Sequence, residues 1–545
     1  MTSTPNTLAT GFVAHRTELA DCYREAKLFA GQPLWQPLAD QTATTPDAPA
    51  VTDAATGTTL TYAELLHAAD SRAAGFIAAG LATGDRIVLQ LNNSAEFAIT
   101  FYGLLRAGLV PVMTLPAHRI SEISHLAVGS GARGYVCDAV ADGYDYRILA
   151  SELRKQVPAI HHVFVAGEAG EFATLPESEL PWTPPIIDPD LPALFLVSGG
   201  TTGLPKLIPR THNDYAFNAA SSADIAHLTA DDVYLAALPA AHNFPLCCPG
   251  LLGTVAVGGH TVFTGNPSPE SAFDAIEKYR VTVTALVPAL AQLWCAATEW
   301  EPANISTLRL LQVGGSKLAE PDAAAIDAAM GPVVQQVFGM AEGLICYTRI
   351  DDPRELVHAS QGSPMSPHDE IRVVDTDGHE VPAGTEGELL VRGPYTLRGY
   401  YRAPEHNARA FTPDGFYRSG DLVRQTRSGH LAVTGRIKDT IVRAGENVAA
   451  DDVEEHLLAH PAIAHTAVVG LADDALGELI CAVVVPVREA AAPTLREVRA
   501  FLTARGLAAF KLPDQIHAAT SLPVTSVGKI DKAVLRGSIR SQVGP

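Results

Sequence analysis

The chain has 545 residues, 47% of them apolar, and a formal net charge of −21. That is enough apolar side chain for a large core spread over more than one domain, and the acidic balance argues against a nucleic-acid-binding protein. Residues 1–11 lack the basic flank and apolar run of a signal peptide, and no apolar stretch reaches membrane-spanning length, so a cytoplasmic protein with no membrane partner is expected.

Thr61 followed by Glu64 is a capping box and predicts a helix running to about Ala79. Residues 86–91 read as a strand, 96–107 as a helix, and 129–191 as a less regular, peripheral stretch. The apolar run Leu194-Phe195-Leu196-Val197 predicts a buried strand, and it leads into Ser198-Gly199-Gly200-Thr201-Thr202-Gly203-Leu204-Pro205-Lys206. Three glycines let this backbone curl with its N–H groups inward. Ser198, Thr201 and Thr202 add hydroxyl donors and Lys206 a positive charge, a set suited to a chain of phosphates. The glycine-lysine-serine/threonine order of a P-loop is absent, because Pro205 precedes Lys206 and Leu207 follows it. Pro205 and Pro209 also bar a clean helix start, so strand–loop–strand is expected.

Apolar runs recur at 233–238, 281–287 and 308–313, which gives an α/β fold of mostly parallel sheets with sites at strand ends. The seven cysteines form no CxxC pair, and Cys247 and Cys248 are neighbours, so free thiols are expected. Near Gly435 the character changes. Residues 452–458 read as a short amphipathic helix, 467–469 and 480–485 as strands, and the Thr494–Glu497 capping box opens a helix stopping near Gly506. Two domains are expected, residues 1–435 and a small α+β domain over 436–545. The tail carries 12 Lys+Arg against 13 Asp+Glu, leaving −20 on the body. A near-neutral tail repels an acidic protein partner less than the body does.

Four more segments stand at wide intervals: Phe338-Gly339-Met340-Ala341-Glu342, Tyr417-Arg418-Ser419-Gly420-Asp421-Leu422, Gly435-Arg436-Ile437-Lys438-Asp439 and Pro523-Val524-Thr525-Ser526-Val527-Gly528-Lys529. With the phosphate-type loop, this ordered set resembles the adenylate-forming superfamily of acyl-CoA synthetases, peptide-synthetase adenylation domains and luciferases, from about Leu34 to the end. The segments Ala241-His242-Asn243-Phe244-Pro245 and Arg392-Gly393-Pro394-Tyr395-Thr396-Leu397-Arg398-Gly399-Tyr400-Tyr401 look like the stand-alone aryl-acid AMP ligases. Those enzymes activate 2,3-dihydroxybenzoate or salicylate, and Ala341 before the motif glutamate matches that subgroup.

The resemblance implies a large N-terminal adenylation domain of mixed sheets flanked by helices, with a small mobile α+β C-terminal domain. It implies that a carboxylate attacks the α-phosphorus of ATP, pyrophosphate leaves, and the acyl group then passes to a thiol. No protein nucleophile is needed, so catalysis is alignment and charge neutralisation. Carried over by resemblance, Lys529, Glu342, Lys206 and His242 are the catalytic residues. Ser198, Gly199, Gly200, Thr201, Thr202, Gly203 and Lys206 hold phosphates, and Glu342 ligates magnesium. Asp421 takes the ribose hydroxyls and Arg436 the ribose or phosphate side. Gly314, Gly315, Ser316, Val337, Phe338, Gly339, Met340 and Ala341 border the nucleotide. Lys438 matches the hinge about which the tail turns between half-reactions, and Arg443-Ala444-Gly445-Glu446 matches the loop approaching the thiol channel.

The same resemblance assigns the aryl pocket to His242, Asn243, Phe244, Cys248, Gly315, Ser316, Ala341, Leu344 and Ile345. Dihydroxybenzoate enzymes tend to carry serine where Cys248 stands and valine where Ile345 stands. A thiol is a weak partner for a 3-hydroxyl, and an unpartnered buried hydroxyl costs roughly 1–3 kcal/mol. Salicylate is therefore the expected acid. The acceptor is the phosphopantetheine of an aryl carrier protein, or CoA, supplied in trans. Other readings stay open: a 2,3-dihydroxybenzoate ligase of siderophore biosynthesis, a salicylyl-CoA ligase of catabolism, or an enzyme for anthranilate or 3-hydroxypicolinate. A non-catalytic nucleotide-binding protein is disfavoured by the presence of Lys529, Glu342 and Asp421 together. A P-loop phosphotransferase is disfavoured by Pro205 and by the missing hydroxyl after Lys206.

Overall fold

The computed structural model describes residues 8–198, 205–443, 446–473, 476–487, 491–505, 507, 509–525 and 528–543. The expectations for Gly199, Gly200, Thr201, Thr202, Gly203, Ala444, Gly445, Gly506, Ser526 and Val527 lie outside these residues.

Local signals set the first elements. The Thr61 side chain accepts from the Glu64 amide while the Glu64 carboxylate accepts from the Thr61 amide, and the helix Tyr62–Ala78 starts there. It buries Leu65, Ala69, Ala73 and Phe76, one face at helical spacing. The strand Arg86–Gln90 is buried at every position, as a parallel strand covered on both faces must be.

Two large sheets make the body. In the first, the strands run Leu207–Thr211, Pro192–Val197, Val110–Met113, Arg86–Gln90, Gly134–Asp138, His162–Ala166 and Ala173–Thr174 across the sheet. Only the Leu207–Thr211 edge is antiparallel. In the second, Val233–Ala236, His260–Phe263, Val283–Leu286, Leu310–Gly314 and Val334–Met340 are parallel neighbours, and Gly343–Tyr347 turns back antiparallel. The α/β expectation holds for this body. Among the described residues no helix is long and apolar enough to cross a membrane.

Two expectations need correction. Residues 129–191 are not all peripheral: Gly134–Asp138 pairs parallel with Arg86–Gln90, and the helix Tyr146–Gln156, capped by Asp145, connects it to His162–Ala166. Five-residue strands punctuated by Gly131 and Gly143 gave too short a periodic run to read as a sheet. Nor are the sheets of the body mostly parallel throughout. Glu370–Val374, Glu386–Arg392, Tyr417–Gln425 and Leu431–Arg436 form a fully antiparallel four-stranded sheet.

The tail has its own core around Ile441, Val453, Ile480, Val484, Val498 and Leu502. Its sheet pairs Ile463–Asp473 with Gly477–Pro486, and the helices Ala450–Leu458, Leu495–Ala504 and Lys532–Val543 accompany it. The result is a mixed α/β molecule with a large N-terminal domain and a smaller C-terminal one.

An N-terminal arm folds back over the body. The Arg402 amide donates to the Gly11 carbonyl at 3.0 Å, and Arg398 Nε donates to His15 Nδ1 at 3.2 Å. The His15 ring meets Tyr23 and Phe29 edge-on, and burial, with Arg398 next, pushes its pKa down to about 3. Further along, the Gly31 amide donates to Asn213 Oδ1 at 2.9 Å.

Candidate active site

Ser198, which follows the strand Pro192–Val197, is tied to Lys206. The Ser198 amide donates to the Lys206 carbonyl and the Lys206 amide to Ser198 Oγ, both at 2.9 Å. Leu207–Thr211 then pairs back antiparallel on Pro192–Val197, the two strands expected on either side of residues 199–204. The Lys206 ammonium stands 5.6 Å from the Tyr400 ring centroid, and burial, then Lys438, lowers its pKa while Glu342 opposes.

Glu342 sits at the tip of the hairpin formed by Val334–Met340 and Gly343–Tyr347. Gly343 adopts φ +142°, and a Cβ there would stand 2.5 Å from Thr396 Cα, so the hairpin must return on glycine. Tyr400 donates its hydroxyl to Glu342 Oε1 at 2.7 Å, Tyr417 lies 2.9 Å from Tyr400, and the Leu397 amide holds the Glu342 carbonyl. Glu342 Oε2 makes no hydrogen bond to a described residue. An oriented carboxylate whose other oxygen bonds no described residue is a donor that fits magnesium.

Three charged groups converge beside it. Asp421 is buried on Tyr417–Gln425 and pairs with Arg436 at 2.7 Å, directly across the antiparallel register. Burial raises the Asp421 pKa, with Arg436 and then Lys529 pulling against it. Lys529 reaches in from the tail: a Cβ on Gly315 would lie 3.6 Å from its Cε. Burial, then Arg436, pushes Lys529 down to about 8, while Asp421 and Glu342 favour its charge. The Lys529 turn is closed by the Thr525 amide on the Lys529 carbonyl at 2.6 Å.

His242 is the N-cap of the short helix Asn243–Cys247, and its Nδ1 accepts from the Phe244 amide at 3.3 Å. Burial, with Lys529 next, lowers it to about 4, so the ring is neutral and its proton sits on Nε2. Asn243 Oδ1 accepts from the Tyr215 hydroxyl at 2.8 Å, and its Nδ2 lies 3.5 Å from Cys248 Sγ. The Cys248 thiol donates to the Asn243 carbonyl at 3.5 Å and is pushed up to about 12 by burial. The Phe244 ring would stand 3.2 Å from a Cβ on Gly314. Leu344 and Ile345, both buried, lie on the strand facing Val337–Met340, and Gly339 pairs with Ile345.

The structure thus brings Lys529, Glu342, Asp421, Arg436, Lys206, His242 and Gly315 into one charged site. Asn243, Phe244, Cys248, Ala341, Leu344 and Ile345 belong to the elements adjoining it. Ser316 stands exposed at the rim, and Lys438 is exposed on the turn Ile437–Asp439. Sequence reading missed the hydroxyl pair Tyr400–Tyr417 on Glu342, although Tyr400 stands within the quoted 392–401 segment. It also missed Arg210 and Tyr215, for which no local signal exists.

The sequence profile of the AMP-binding enzyme family matches residues 38–401, and that of the AMP-binding enzyme C-terminal domain matches 452–529. A salicyl-AMP ligase / salicyl-S-ArCP synthetase of Mycobacterium tuberculosis is 53% identical over 543 residues, covering 98% of this chain and 96% of that protein. A 2,3-dihydroxybenzoate-AMP ligase of Bacillus subtilis is 46% identical over 535 residues, covering 98% of each. The apo structure of Mycobacterium smegmatis MbtA superposes with a TM-score of 0.76 at 54% identity, over 97% of this chain and 99% of that one. The chain belongs to the AMP-binding enzyme family, in the adenylate-forming superfamily, as one of its aryl-acid AMP ligases.

Proposed function

We propose that the chain converts salicylate and ATP to salicyl-AMP and pyrophosphate in the cytoplasm, then passes the acyl group to the phosphopantetheine thiol of an aryl carrier protein. The observation that carries this reading is the meeting of Lys529, Glu342, Asp421 and Arg436 next to the Asn243–Cys248 pocket.

A salicylate oxygen attacks the α-phosphorus, and the bond to the pyrophosphate oxygen breaks. Lys529 lies where an ammonium can draw the carboxylate and α-phosphate together. Lys206 and the loop from Ser198 hold the departing phosphates. Asp421 takes the ribose hydroxyls, and Arg436, now on Asp421, turns to the nucleotide. Glu342 is the residue that would hold magnesium, braced by Tyr400. When bound there, magnesium neutralises charge on phosphate oxygens. His242 and Phe244 flank the ring. In the second step the thiol sulfur attacks the acyl carbon, gives up its proton, and AMP leaves.

The case for salicylate rests on Cys248. Its thiol is already committed to the Asn243 carbonyl in a buried setting, so a ring 3-hydroxyl would find a poor partner. Product analysis tests the reading: ATP, magnesium and either salicylate or 2,3-dihydroxybenzoate, followed for AMP and pyrophosphate, then for thioester on CoA or a pantetheinylated aryl carrier. The expected result is AMP formation with salicylate preferred by about 5- to 150-fold, the range of one unpartnered hydroxyl. Equal use of both acids overturns the acid assignment, ADP overturns the chemistry, and thioester on CoA alone overturns the carrier.

A further inference from the structure

Arg210 is 1% exposed, so its charge can persist only if the protein surrounds it with partners. One partner is local. Arg210 Nε donates to Asp214 Oδ1 at 2.8 Å, and Asp214 Oδ2 takes the Thr211 amide and hydroxyl at 2.8 and 2.9 Å. That arrangement caps the helix His212–Ile225, and an ion pair serving stability alone would be complete there. The guanidinium goes further. Its Nη1 donates to the Ala341 carbonyl at 3.0 Å, 131 residues away and one residue before Glu342. Its face lies 4.7 Å from the Tyr215 ring centroid, and the Tyr215 hydroxyl donates to Asn243 Oδ1 at 2.8 Å. Cys247 and Cys248 both feel its charge.

We infer that Arg210 is a positioning residue of the aryl-acid pocket, fixing the Ala341 carbonyl on one wall and, through Tyr215, the Asn243 amide on the other. The inference rests on the aryl-acid reading above. A planar fork can meet Asp214, Ala341 and a ring face at once, whereas an ammonium is a single point and cannot. With Asn243 Oδ1 held by Tyr215, its Nδ2, 3.5 Å from Cys248 Sγ, has a second N–H that can meet an ortho substituent. Loss of either link frees that amide to turn, and discrimination for an ortho hydroxyl falls with it.

The test compares wild type, Arg210→Lys and Tyr215→Phe by ATP–pyrophosphate exchange with salicylate and with benzoate, by calorimetric binding of salicylate without ATP, and by thermal melts. For Arg210→Lys the expected result is a salicylate KM and Kd raised about 10- to 100-fold, with the KM for ATP within about threefold of wild type. For Tyr215→Phe the rise is about 3- to 10-fold, the effect of one hydrogen bond. In both, the salicylate-to-benzoate ratio of kcat/KM falls by at least the same factor as the salicylate KM rises. A merely structural role lowers the melting temperature and the active fraction but leaves KM and the ratio where they were; that result overturns the inference. If Arg210→Lys does not fold, Tyr215→Phe decides, and an unchanged ratio there overturns it. Wild type inactive with both acids counts against the aryl-acid reading instead.

Discussion

Lys529 carries an ammonium into a place where burial disfavours charge, and its pKa falls from 10.5 to about 8. On the proposed reading only the protonated form joins carboxylate to phosphate. The kcat/KM for adenylation, which reports the free enzyme, should therefore drop about tenfold per pH unit above pH 8. Pyrophosphate exchange from pH 6.5 to 10 measures this, and a flat profile would remove the ammonium from the rate-determining chemistry. Lys529→Ala should show a much lower rate without that limb. The meeting of Lys529, Glu342 and Asp421 could be expected from the sequence because each sits in a segment that carries the family resemblance. Arg210 and Tyr215 could not be, because their meaning depends on partners 131 and 28 positions further along the chain.

At the scale of elements, the hairpin that carries Glu342 also carries Ile345, and it is braced from outside. The Ile345 amide donates to the Tyr395 hydroxyl at 3.1 Å, and Tyr395 donates to Asp369 Oδ2 at 2.6 Å. Asp369 Oδ1 is buried without a hydrogen-bond partner among the described residues, and a Cβ on Gly393 would stand 2.3 Å from it. Burial raises Asp369 from 3.8 to about 7. The folded state then binds more protons than the unfolded one between those values. This group's contribution to stability is full below pH 3.8 and is lost as pH rises through about 7. Asp369→Asn, neutral throughout, should melt higher than wild type at pH 8 and gain nothing at pH 4. Thermal melts at the two values check the sign, and an equal shift at both would contradict the buried-charge account. Elements with a local signature, such as the capping boxes at Thr61 and Thr494, could be read to within a residue or two. The four-stranded antiparallel sheet could not. Its strand Tyr417–Gln425 alternates buried and exposed positions irregularly, and its register shifts twice against its neighbours.

At the scale of the molecule, the tail lies against the body. Lys317 on the body pairs with Glu455 on the helix Ala450–Leu458 at 3.0 Å, while Lys529 stands against Gly315. On the proposed reading this placement serves the first half-reaction, and the tail turns away before a thiol enters. Lys438 lies on the exposed turn between the last strand of the body and the tail. Lys438→Pro, by fixing φ there, should leave adenylation within about threefold and cut thioester formation by about tenfold or more. Exchange and acyl-transfer assays on the same preparation measure both, and equal losses would assign Lys438 no hinge role.

The N-terminal arm bears on the order in which the chain can fold as it is made. Arg398 stands 383 positions after its partner His15, so this docking surface leaves the ribosome that much later than the arm. At about 5–20 residues per second that is a wait of about 20 to 75 s. Until then His15 lacks its Arg398 partner, and the edge-on cluster of His15, Tyr23 and Phe29 lacks that side of its packing. The contacts of Gly11 and His15 with Arg402 and Arg398 can form only once most of the body has been made.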